Sequence, residues 1–316
     1  MEGTGPIVSR PGRLFSRMSL RQLARATLGY NLLVIIWGGY VRASGAGAGC
    51  GRHWPLCNGV VVPRDPAINT MIEFAHRLTS GLALVAVVWL CVVAFRTTTP
   101  GHRVRRAAVL SLVYIIIEAL VGAGLVLLEL VADNDSGLRA AYLAVHLANT
   151  FFLLAFLTLT WLWADRPDPG PQPFTVPGLV RLGWFTMGAI LVVGITGAIT
   201  ALGDTLFPAE SLRAGLAQDT SPTAHFLLRL RIFHPALAIG AALGGAWVAV
   251  RALREVPAPL VQASGRWLIG LLVAQVAIGV VNLVLLVPIP IQLLHLLVAD
   301  LVWVAAVGMT AGLREA

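Results

Sequence analysis

CGRHWPLCNGVVVPRDPAINTMIEFAHR, residues 50–77, begins as a polar loop and ends inside a hydrophobic run. Two of the three cysteines, Cys50 and Cys57, lie seven residues apart in the loop portion. Glu73 and His76 stand three residues apart where the apolar run starts, a spacing that places them on one helix face. In so apolar a chain, a thiol pair, a carboxylate and an imidazole gathered at one boundary call for a chemical explanation.

Working outward, hydrophobic residues make up 57% of the 316 and charged residues 12%, against about 25% charged in soluble domains. Mean hydropathy is +0.81. The net charge of +8 comes from arginine, since the chain has no lysine. These arginines fall between apolar spans rather than on one polar face, a pattern of membrane orientation and not of nucleic-acid binding. Cys91 lies inside an apolar run and reads as a small buried hydrophobe.

Eight apolar runs are predicted as transmembrane helices: about 24–42, 72–95, 106–130, 140–163, 180–202, 226–250, 266–287 and 291–312. The first is longer than the ~7–15-residue apolar core of a signal peptide and approaches the ~20 residues a bilayer needs. Residues 1–23 read as a cytoplasmic tail and 164–179 as a cytoplasmic linker between halves at 24–163 and 180–312. Arginine-rich connections (Arg96, Arg103, Arg105, Arg106, Arg251, Arg254) alternate with longer, more acidic ones (Glu129, Asp133, Asp135, Asp204, Glu210, Asp219). The positive-inside tendency then puts both termini of this multi-pass protein in the cytoplasm of a cell membrane, and Cys50 and Cys57 outside. An oxidising exterior allows a disulfide between them; two free loop thiols are the alternative.

The halves repeat. Gly39 and Gly45 recur as Gly197 and Gly203, and His76 recurs as His234, each at an offset of 158. Glu118 and Gly122 in IEALVG correspond to Gln275 and Gly279 in AQVAIG at an offset of 157, and His146 corresponds to His295 at 149. Four helices per half return the chain to its starting side, so the predicted fold is all-α, two four-helix bundles related by a pseudo-twofold axis along the membrane normal. His76, His146, His234 and His295 then lie near the outer ends of the even helices. His53, His102 and His225 fall in connections and are expected to be solvated.

One histidine near a helix end is ordinarily a polar interfacial residue. Four at one depth, two per repeat, point to a site, because ionisable groups within membranes are costly. Two imidazoles from facing helices are what a six-coordinate heme iron requires. Structural zinc wants four ligands around one centre, and a carboxylate di-iron site needs a second Glu-x-x-His motif. Glu73 has Arg231 as its counterpart, so one half offers a carboxylate and the other a cation. Arg42, Arg77, Arg229 and Arg231 are either propionate partners or interfacial anchors. Glu118 is either a proton-path group or a buried, protonated acid bonded to a neighbouring helix. Asp300, five residues beyond His295, falls off that histidine's face.

The chain resembles the heme A synthases over nearly its whole length. The likeness is carried by GGYVRASGAGAGC, CGRHWPLCNG and IEFAHR, and by a histidine at the outer end of each even helix. The family commonly has a hydroxyl residue where this chain reads Gly45-Ala46-Gly47. The resemblance implies oxidation of the C8 methyl of heme O to a formyl group, giving heme A for the terminal oxidase. It implies that His76 and His146 flank the substrate heme O, that His234 and His295 ligate a resident heme B, that Glu73 is the catalytic carboxylate, and that Cys50 and Cys57 are the outer-loop pair. Implied partners are membrane lipid, a heme O synthase, terminal oxidase assembly factors and an electron acceptor of unstated kind. Two other functions compete. A b-type cytochrome carrying electrons across the membrane would place hemes near both faces, and a transporter would leave the symmetric histidines without a role.

Overall fold

The computed structural model describes residues 18–167 and 176–316. Most of the expected tail (residues 1–17) and half of the expected linker (168–175) lie outside the described residues. Every helix and strand element among the described residues is helical, with one isolated bridge between Cys57 and Val60. The helices are α1 (Leu20–Ala43), α2 (Ile68–Thr97), α3 (Arg103–Leu127), α4 (Gly137–Trp163), α5 (Pro177–Leu206), α6 (Leu212–Thr220), α7 (Phe226–Arg231), α8 (Phe233–Glu255), α9 (Pro259–Val284) and α10 (Ile289–Glu315), with a 3-10 turn at Ala46–Ala48.

Helix starts are set by capping residues. Ser19 and Gln22 form a capping box, each side chain taking the other's backbone N–H, so α1 begins at Leu20 and absorbs the end of the expected tail. Ser136 caps α4 through the Arg139 N–H, and Pro177 and Pro259 open α5 and α9 without wasting a donor. The run at 226–250 is two helices. Pro235 has no N–H to give the Arg231 carbonyl, and the chain breaks at Ile232 between α7 and α8. Helix ends repeat between halves. Leu130 N–H reaches Leu125 O at 2.8 Å after α3, and Val287 N–H reaches Asn282 O at 2.8 Å after α9. Glu129 and Leu286 take the left-handed position that this kind of cap requires.

Among the described residues, seven stretches are long and apolar enough to cross a membrane: α2, α3, α4, α5, α7 with α8, α9 and α10. These make the chain a multi-pass membrane protein. Helix α1 is 24 residues long but is diluted by Tyr30, Asn31 and three glycines, and is not among the seven. Its buried Asn31 is satisfied locally, donating to Thr27 O at 2.8 Å.

Helix α1 packs on α2 and α4, and α3 on α2 and α4. Helix α8 packs on α5 and α9, and α10 on α5 and α9. Contact between the two sets runs through α4 with α5, α4 with α10, and α1 with α10. The most apolar windows of α10 and α4 are 72% and 50% buried, against 11–22% for the other spans, so these two helices form the centre. There Phe151 stacks on Trp303 at 4.8 Å between ring centroids, and the Trp303 indole N–H donates to Phe151 O. Outward faces carry Val85, Trp89, Phe185, Leu243, Trp267 and Val273, an apolar surface suited to lipid. Beside the seam, Arg42 of α1 donates to Ala201 O and Thr205 Oγ1 on α5 and to Gln292 Oε1 on α10, at 2.7–3.0 Å.

Candidate functional site

The loop that precedes α2 is folded down onto that helix. Cys50 and Cys57 are bonded, and both are buried. The loop backbone lies so close to α2 that a Cβ at Gly49 would stand 2.4 Å from Asn69 O. Gly49 O accepts from the Thr70 hydroxyl at 2.7 Å. This docking delivers the Cys50 N–H to Glu73 Oε2 at 2.7 Å. Glu73 is 3% exposed, and its Oε1 takes two bonds from Arg77, whose remaining donors reach His53 O and Leu56 O. The carboxylate is therefore tied to the loop and to Arg77, with spare acceptor capacity on Oε2.

Each of the four histidines lies against a glycine of the preceding helix or span. A Cβ built on Gly38 would stand 3.0 Å from the His76 ring, on Gly197 3.0 Å from His234, on Gly279 3.1 Å from His295, and on Gly122 3.9 Å from His146. The repeat therefore matches Gly197 with Gly38, one residue earlier than the sequence pairing with Gly39. Gly39 instead faces Leu293 and Leu296 of α10. His76 and His146 are within electrostatic reach of each other, as are His234 and His295. Nδ1 of His76, His146 and His295 is buried without a hydrogen-bond partner, and His234 Nδ1 lies 3.1 Å from Thr196 Oγ1.

Around these rings the halves differ. Glu118 Oε1 lies 3.4 Å from His146 Nδ1 and accepts from the Thr150 hydroxyl, while Oε2 accepts from Asn149. Glu118 is bonded to the neighbouring helix α4. Its counterpart Gln275 places Nε2 3.2 Å from His295 Nε2. Asp300 is fully buried and neither carboxyl oxygen has a hydrogen-bond partner.

Arg231, the counterpart of Glu73, binds Asp204 at 2.9 Å and Asp219 at 2.5 Å. The simple contrast of carboxylate against cation thus becomes a closed ion pair in each half. All four arginines considered for propionates have protein acceptors, Arg229 through Pro222 O. His102 and His225, expected to be solvated, cap α3 and α7 through their ring nitrogens. Cys91 is free and half-buried.

Sequence reasoning missed the glycines beneath the rings, the Asn149–Thr150 cradle and the three-way bond of Arg42. The signal for the glycines was present in the repeat itself, since Gly122, Gly197 and Gly279 are among the residues that mark it.

A family model described as COX15-CtaA, cytochrome oxidase assembly protein, matches residues 21–307. The chain is 44% identical over 287 residues to the protoheme IX farnesyltransferase of Thermus thermophilus, covering 90% of this chain and 47% of that protein. It is 31% identical over 225 residues to the heme A synthase of Staphylococcus carnosus, covering 69% of this chain and 71% of that protein. It is also 36% identical over 128 residues to a heme A synthase of Bacillus cereus, 40% of this chain and 39% of that protein. The chain spans about half the length of its Thermus relative.

Proposed function

The chain belongs to the COX15-CtaA family of cytochrome oxidase assembly proteins, and from that premise we propose that it is a heme A synthase, an oxidoreductase that converts the C8 methyl of heme O to a formyl group. The observation that carries the proposal is the set of four imidazoles, each seated on a glycine and close in pairs. At Gly38, Gly197 and Gly279 the glycine lets a flat ring lie against the helix where a Cβ would crowd it at 3.0–3.1 Å; at Gly122 a Cβ would only reach contact with it. Nδ1 of His76 and His295 is buried without a partner, which suits groups awaiting a ligand plane, and paired imidazoles are the donor set an iron porphyrin takes.

In this reading α1 is the eighth span, and the halves at 24–163 and 180–312 are two four-helix bundles related by a pseudo-twofold axis. Both termini are cytoplasmic, and the histidines lie toward the outer face of the cell membrane. His76 and His146 flank heme O, and His234 and His295 hold heme B. Heme B, when bound, supplies one-electron transfer. Glu73 is the catalytic carboxylate: in a dry site it stabilises positive charge developing at the methyl or takes up its proton on Oε2. Arg77 and Cys50 N–H fix its position. The disulfide loop closes this end of the site over α2.

The Thermus relative, named for farnesyl transfer to protoheme IX, is about twice the matched length. That favours a heme O-making enzyme as a partner, with terminal oxidase assembly factors downstream. The test is expression beside a source of heme O, followed by extraction and mass identification of the pigments. Heme A is the expected product; heme B alone would overturn the synthase in favour of a b-type cytochrome, and no heme at all would overturn heme binding.

A further inference from the structure

We infer that Glu118 is a positioning residue for the His76–His146 site: it fixes which nitrogen His146 turns to iron and makes that site's ligand more electron-rich than those of the His234–His295 site. The inference rests on the heme reading above.

Its basis is a polar cradle present in one half and missing from the other. His146, Asn149 and Thr150 share one face of α4, being three and four residues apart. All three meet the Glu118 carboxyl that reaches across from α3: Asn149 on Oε2, Thr150 on Oε1, and His146 Nδ1 3.4 Å from Oε1. The Asn149 amide also donates to Tyr114 O at 2.9 Å, which locks its orientation. At the repeat offset of 149, the matching residues of α10 are Val298 and Ala299, and the carboxyl itself becomes Gln275. The second half has lost the whole arrangement, not the charge alone.

A tie between two helices does not need an acid in mid-membrane, where ionisable groups are costly; an amide would serve. What a carboxylate does that an amide cannot is hold negative charge against an imidazole. Neutral imidazole has one N–H and one lone pair. A carboxylate at Nδ1 selects the tautomer protonated there and leaves the Nε2 lone pair for a metal, while raising the basicity of the ring. Gln275 gives His295 a neutral neighbour, on Nε2 rather than Nδ1, so Nδ1 is that ring's free nitrogen, and the amide's own Oε1 is buried without a partner. The half in which a methyl is to be oxidised thus has the more strongly donating ligand, and the half that holds heme B has the weaker one.

The experiment uses the full chain purified from cells that make heme O and heme B, with potentiometric titration followed by optical and EPR spectra. His146→Ala and His295→Ala first assign each signal to its half. Both signals surviving in His146→Ala would overturn the ligand reading and this inference with it. With the signals assigned, Glu118→Gln is expected to raise the midpoint potential of the His76–His146 heme, leave the other unmoved, and weaken heme retention in that half about 10–100-fold, the usual cost of losing such a partner. Gln275→Glu is expected to lower the potential of the His234–His295 heme. Unchanged potentials and g-values in Glu118→Gln would overturn the inference alone. Should that variant not fold, an unchanged potential in Gln275→Glu overturns it instead.

Discussion

The backbone N–H of Cys50 donates to the buried carboxylate of Glu73 across 2.7 Å, so the disulfide loop and the acid of α2 are one mechanical unit. Replacing Glu73 therefore has a chemical effect and a structural one, and the two can be told apart. Glu73→Gln keeps an oxygen for Cys50 while losing the charge facing Arg77, and is expected to retain heme but abolish heme A formation. Pigment extraction measures both; normal heme A in this variant removes Glu73 from catalysis. Glu73→Ala frees the loop as well, and is expected to speed reduction of the 50–57 disulfide by mild thiols.

His234→Ala and His295→Ala are each expected to remove the low-spin b-type spectrum of the purified chain, while His53→Ala leaves it intact. The contrast is structural. His234 and His295 lie against Gly197 and Gly279, whereas His53 is exposed in the disulfide loop. A spectrum unchanged in both ligand variants would refute that pair.

Gly38→Ala and Gly279→Ala would place a methyl 3.0 and 3.1 Å from the His76 and His295 rings. Overpacking of this kind typically costs about 1–3 kcal/mol, and here it falls on ring orientation. Both variants are expected to show shifted heme spectra and lower occupancy. Gly29→Ala, on the same helix as Gly38 with nothing within 4 Å of the new methyl, is the control expected to behave as the parent.

Leu286 adopts φ 58° in the cap that ends α9, where its repeat partner Glu129 adopts 55°. An L-residue in that conformation costs about 1–2 kcal/mol relative to glycine, less the extra freedom glycine gains when unfolded. Leu286→Gly is expected to stabilise the detergent-solubilised protein by about 0.5–1 kcal/mol, measured as a rise in unfolding temperature, and Leu286→Ala is expected to give none of it.

Each of the eight apolar runs is helical over most of its length because each is near the length a membrane crossing needs; 106–130 and 266–287 overrun α3 and α9 by three residues, and 226–250 is divided between α7 and α8. The break at Ile232 escaped, although Pro235 carries its cause, since hydropathy is blind to one missing N–H. Helix α6 escaped because its nine residues are too few and too polar to show a run. The start of α1 was readable in Ser19-Leu20-Arg21-Gln22, a capping-box pattern overshadowed by the arginines beside it. At the site, the histidines could be found from repeat spacing, which needs only one dimension. Glu118 could not be assigned from spacing, because its partners Asn149 and Thr150 lie on another helix and meet it only through the register of α3 against α4. The arginines were ambiguous for the same reason: several of their acceptors, such as Thr205, Gln292 and Asp204, lie on other helices, and the rest are backbone carbonyls with no signature in sequence.

Arg42 sends its guanidinium out of the first half and finds all three acceptors in the second. Cut the chain between residues 167 and 176, and each fragment inherits an incomplete seam: a cation without its acceptors on one side, an uncovered Trp303 on the other. Fragments expressed apart should be degraded, while fragments expressed together should complement and co-purify.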